Sequence, residues 1–114
     1  MFIVDFYKLE NGKCPVQDFI MSLDMKMRAK TLRIISLLKE YGNLLGEPFS
    51  KSLKDGVFEL RIQFGSDNVR ILYFFCNGKT IILTNGFVKK TQKTPEKEIF
   101  LALKYREEYL KREV

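Results

Sequence analysis

VFELRIQFGSDNVRILYFFCNGKTIILTNGFV, residues 57–88, decides the fold of this 114-residue chain. Its first part alternates: Phe58, Leu60, Ile62 and Phe64 fall on one face of a strand, and Glu59, Arg61 and Gln63 on the other. GSDN is a hairpin turn signal. VRILYFFC then runs apolar almost throughout, the pattern of a central strand covered on both faces. NGK turns the chain again into TIILTNGFV. Three neighbouring strands in a meander follow, with Arg61 brought near Arg70 if the first two pair across the turn.

Working outward, FIVDFY near the N-terminus is rich in β-formers and reads as a further strand. Pro15 suits the first turn of a helix striped by Val16, Phe19, Ile20 and Leu23. Ser22 or Asp24 is placed to cap a longer helix, along which Met27, Thr31, Ile34, Leu38 and Tyr41 recur at helical spacing until Gly42 stops it. GNLLGEPFSKSLKDG, with three glycines and a proline, reads as loop. Beyond the meander, Thr94 is placed as a cap with Pro95 at the first helical position, and Ile99, Ala102, Leu103, Arg106 and Leu110 mark a last amphipathic helix. The expected fold is α+β, in the order β-α-α-β-β-β-α, as a single domain over residues 1–114.

Composition narrows the chemistry. The chain carries a net charge of +6 and a pI near 9.4, which favours anionic partners. It has no histidine, so acid–base work falls to Lys, Tyr, Asp, Glu or Cys. Cys14 and Cys76 form no CxxC, and with no third cysteine a zinc site is not expected. The apolar runs are too short to cross a bilayer and no secretory leader is legible, so a cytoplasmic protein is expected. No P-loop, dinucleotide glycine pattern or GxSxG is present.

Arg70 stands inside the most apolar strand, and a buried arginine is costly unless paired. Two readings are open: an ion pair with Glu59 or another carboxylate, or a place in a groove that receives a phosphate. Arg61 beside it would repel it unless an anion or carboxylate lies between. Lys51 and Lys54 precede the meander while Lys89, Lys90 and Lys93 leave it, so both groups are placed to border one concave surface. Crowding and partial burial lower a lysine's pKa and fit it for proton transfer. Phe87 is either a core residue or a platform on which a base stacks.

KSLKDGVFELR, RILY and GFVKKTQKTP resemble three segments of the RelE/HigB superfamily of bacterial toxins, closest to its phage-related HigB-like branch. The resemblance implies a small sheet with an N-terminal helical pair and a C-terminal helix. It implies the toxin of a type II toxin–antitoxin system: a metal- and cofactor-independent mRNA endonuclease that works in the ribosomal A site. Its partners would be mRNA, the ribosome and a cognate helix-turn-helix (HigA-like) antitoxin, with operator DNA reached only through the antitoxin complex and no membrane involved. The 2′-hydroxyl would attack the adjacent phosphate, leaving a 2′,3′-cyclic phosphate and a 5′-hydroxyl. By motif, Arg61, Arg70, Lys89 and Lys90 would be catalytic; Lys51, Lys54, Phe87 and Lys93 would bind RNA; and Glu59 would orient an arginine. Some members use a histidine or tyrosine as proton carrier; this chain has no histidine, and Tyr105 and Tyr109 match no motif. Two alternatives have the same fold: a ParE-like inhibitor of DNA gyrase, and an inactive RNA-binding module.

Overall fold

The computed structural model describes residues 1–112. The elements are β1 (Ile3–Phe6), α1 (Pro15–Ser22), α2 (Met25–Tyr41), a 3₁₀ turn (Gly42–Leu44), β2 (Ser50–Ser52), β3 (Phe58–Phe64), β4 (Asp67–Cys76), β5 (Thr80–Val88) and α3 (Glu96–Arg112). This is the expected α+β order with one strand added. β2 lies within the stretch read as loop: three residues, SKS, are too few to show alternation, yet Lys51 pairs with Glu59 across an antiparallel ladder.

The five strands form one sheet in the order β1-β5-β4-β3-β2, antiparallel except for the parallel contact of β1 with β5. The helices pack on both faces. Val16 and Ile20 of α1 and Met27, Ile34 and Leu38 of α2 join Leu60, Ile62, Ile71 and Leu83 in the larger core. On the other face Ile99 and Ala102 of α3 cover Val57, Leu72 and Phe87, and Tyr105 and Tyr109 meet Tyr7, Phe74 and Ile82. β4, second from neither edge and covered twice, therefore carries the continuous apolar run that marked it in sequence. Among the described residues no helix is long and apolar enough to cross a membrane.

Local signals set the helix ends. Asp24, rather than Ser22, caps α2 by accepting from the Met27 amide at 2.9 Å. Gly42 ends it at φ +53°, and a Cβ there would overlap the Phe2 ring. The expected cap at Thr94 is replaced: its hydroxyl turns to Glu59, and α3 begins after Pro95.

Candidate active site

Glu59, Arg61 and Arg70 share the α3-facing side of the sheet. The register places Arg61 opposite Arg70, and Arg70 in turn opposite Phe87 of β5. α3 begins over Leu72 and Phe87 and so leaves the two arginines beyond its first turn. The sheet's period of two assigned Glu59 to a polar face, but the structure buries it to 1% exposure. Its carboxylate lies between the guanidiniums: Oε2 is 3.4 Å from Arg61 Nε and Oε1 is 3.4 Å from Arg70 Nε. Two cations thus sit on neighbouring strands because one buried anion separates them.

The arrangement holds Arg70 without saturating it. Its Nη1 donates to the Val69 carbonyl at 3.1 Å, and its Nε, although near Glu59, has no hydrogen-bond acceptor in line. Burial lowers its pKa, Glu59 opposes that and Arg61 adds to it; the group remains cationic at any relevant pH. Arg61 also reaches Glu47 at 3.6 Å.

The loop after β5 is fastened at both ends. The Lys89 amide donates to the Asn68 carbonyl at 2.8 Å, and Thr94 donates to Glu59. Lys89 is thereby held half-buried between two cavities. One, of about 320 Å³, is lined by five cations (Lys51, Lys54, Arg61, Lys89 and Lys93) against two carboxylates, Glu59 and Glu96. The other, of about 770 Å³, has Arg70, Lys89 and Lys90 on its wall. Burial lowers the Lys89 pKa most; Glu59 raises it, and Arg70, Arg61 and Lys51 lower it further.

The residues singled out in sequence separate into three groups. Arg61, Arg70 and Lys89 converge on Glu59. Lys51, Lys90 and Lys93 are exposed on the cavity walls, while Lys54 pairs with Glu96 at 3.1 Å and lies over the Phe100 ring. Phe87 is 9% exposed among Leu72, Val57, Ile99 and Ala102, so of its two readings the structure places it in the core, with no face offered to a base. Thr94 is the contributor that sequence reasoning placed elsewhere: TPE has the form of a helix start, and nothing local shows that its hydroxyl faces a carboxylate 35 residues away.

The tight approach of α1 fixes the β5 end of the site from behind. A Cβ on Gly86 would lie 2.5 Å from Phe19 Cδ2, so the glycine before Phe87 lets α1 rest directly on the strand. A β-bulge at Thr84 then resets the pairing, with Thr84 donating to Leu72 and Asn85 reaching the side chain and carbonyl of Glu98 on α3. The model of the family described as phage derived protein Gp49-like (DUF891) matches residues 18–107 of this chain. No match was found among curated proteins.

Proposed function

The chain belongs to the phage-derived Gp49-like family, and on that premise we propose that it is the toxin of a type II toxin–antitoxin system, a ribosome-dependent mRNA endonuclease. The family is associated with RelE-like, toxin-like proteins. One observation carries the finer reading: the cross-strand pair Arg61–Arg70, separated by buried Glu59 and flanked by Lys89, is a preorganised receptor for phosphate charge. Structural ion pairs alone do not need the further cations that crowd the same cavity.

In this reading the 2′-oxygen of one nucleotide bonds to the adjacent phosphorus, and the bond from phosphorus to the 5′-oxygen breaks. Arg61 and Arg70 hold the charge on the phosphorane. Lys89, its pKa lowered, hands a proton to the departing 5′-oxygen. Water or the ribosome carries off the 2′-hydroxyl proton, because Glu59 is already engaged by Thr94 and both arginines. Placing the substrate is then the ribosome's contribution, and aligned geometry alone supplies about 7–11 kcal/mol in favourable cases. Lys90, exposed beside Lys89, serves in this reading to hold the RNA backbone with Lys51 and Lys93 rather than to share the proton transfer. Lys54 is engaged by Glu96, and a helix-turn-helix antitoxin neutralises the toxin.

Primer extension on a reporter mRNA in a cell-free translation mix, with and without ribosomes, tests this. Wild type gives ribosome-dependent cuts; Arg70→Ala loses them while it still melts cooperatively and still binds antitoxin. Absence of cuts from a protein that still arrests growth when expressed in cells would instead support the gyrase-type reading.

A further inference from the structure

α2 carries five cations, Lys26, Arg28, Lys30, Arg33 and Lys39, and a single carboxylate, Glu40, in its last turn. Three of the five, Lys26, Lys30 and Arg33, recur at i, i+4 and i+7 and so share a face. Among the described residues none of these three forms a salt bridge. Their placement works against the helix. Like charges four and three residues apart repel, and the helix N-terminus, where the macrodipole is positive, has the single cap Asp24 for its acid and none in the first turn. An anion lying along the face relieves the repulsion.

Phe64, at the end of β3, completes the surface. It is 43% exposed and lines a cavity of about 460 Å³ with Lys26, Ala29, Lys30 and Arg33. Lys30 Nζ donates to the Gln63 carbonyl, tying helix and strand end together. Two carboxylates adjoin the surface at one end: Asp24, whose carboxylate caps the Met27 amide, and Asp67, paired with Phe64 across the hairpin. They line a neighbouring cavity with Lys26 and Phe64, which leaves Lys30 and Arg33 away from both. Ser66 and Asp67 also border the cavity that holds Arg70 and Lys89, so the hairpin turn lies between the two basic regions and keeps them distinct.

We propose that Lys26, Lys30, Arg33 and Phe64 form a second RNA-docking surface, where the cations hold the phosphate backbone and the phenyl ring stacks on an unpaired base. From Lys26 to Arg33 the stripe runs about 10 Å along the helix, enough to follow consecutive phosphates. A row of cations beside an exposed aromatic is the usual composition of a single-strand or loop platform. The inference goes beyond the cleavage site and rests on that reading for the class of polymer alone.

The test uses binding, so that its result is independent of whether the protein cuts. Anisotropy of a fluorescein-labelled RNA hairpin with an unpaired loop is followed over a salt series with the full chain, with K26Q/K30Q/R33Q, and with K8Q/K13Q/K104Q as a control of equal net charge. The α2 variant is expected to bind at least tenfold more weakly, and its slope of log affinity against log salt is less steep by about two to three. Phe64→Leu weakens binding with the slope unchanged. If the triple variant does not fold, the single variants replace it, each lowering the slope by about one. Equal affinity of the α2 variant and wild type overturns the proposal, as does an equal loss in the control, which would reduce the effect to net charge.

Discussion

At the scale of the residue, Glu59 is where stability and the proposed activity meet. Its carboxylate is buried between two guanidiniums and accepts from Thr94, so Glu59→Ala leaves two arginines facing each other without an anion. Removing one partner of a buried ion pair costs about 3–5 kcal/mol, and urea unfolding should show a loss of that size. Lys89 should behave in the opposite way. Its lowered pKa means that folding disfavours its charge, so Lys89→Gln should melt no lower than wild type. On the proposed mechanism the same variant should cleave about 100-fold more slowly in single-turnover assays on programmed ribosomes, the ordinary loss for a proton donor. Arg61, Arg70 and their pairing were legible because an arginine amid Val69, Ile71 and Leu72 breaks the apolar pattern. The burial of Glu59 was not, because period two separates the faces of a strand without showing that both are covered.

At the scale of the element, β5 is the part on which the site depends most. α1 presses on it at Gly86 and α3 is tied to it through Asn85 and Glu98. Gly86→Ala inserts a methyl into the Phe19 ring and should destabilise by about 1–3 kcal/mol, with Phe19→Leu restoring part of the loss in a double-mutant cycle. A full loss in the double variant would place the strain in the strand backbone instead. The sequence made the meander plain through two turn signals and the change of period, and both N-terminal helices through their stripes. It concealed β2, whose three residues are held by pairing with β3, and the bulge at Thr84, which needs the partner strand to be recognised. Phe87 illustrates the same limit: an aromatic among lysines looks like a base platform until α3 is laid over it.

At the scale of the whole molecule, a sheet covered on both faces puts the basic cleft at the beginning of α3 and a separate lock at its far end. There Tyr7 donates to Glu108 and accepts from Arg112 at 3.0 Å, with its ring stacked on Tyr105 at 4.4 Å. Burial first, then the bond to Glu108 and that carboxylate's charge, push the phenol up to about 12, against opposition from Arg112. A tyrosine raised in the folded state keeps its full contribution below about pH 10, its unfolded value, and loses it as pH climbs towards the folded value. Thermal melts should therefore fall between pH 10 and 12, less steeply in Tyr7→Phe; an identical pH profile in that variant would remove Tyr7 from the lock. The parallel pairing of β1 with β5 has its own consequence for the order in which the molecule is built. A nascent chain emerges N-terminus first, so β1 must wait, unpaired, for almost the entire sheet to be translated. The loop that brings Lys89 to Arg70 follows β5, and α3 follows the loop. The basic cleft is thus assembled only once β5 and the loop after it have been made, later than every other strand of the sheet.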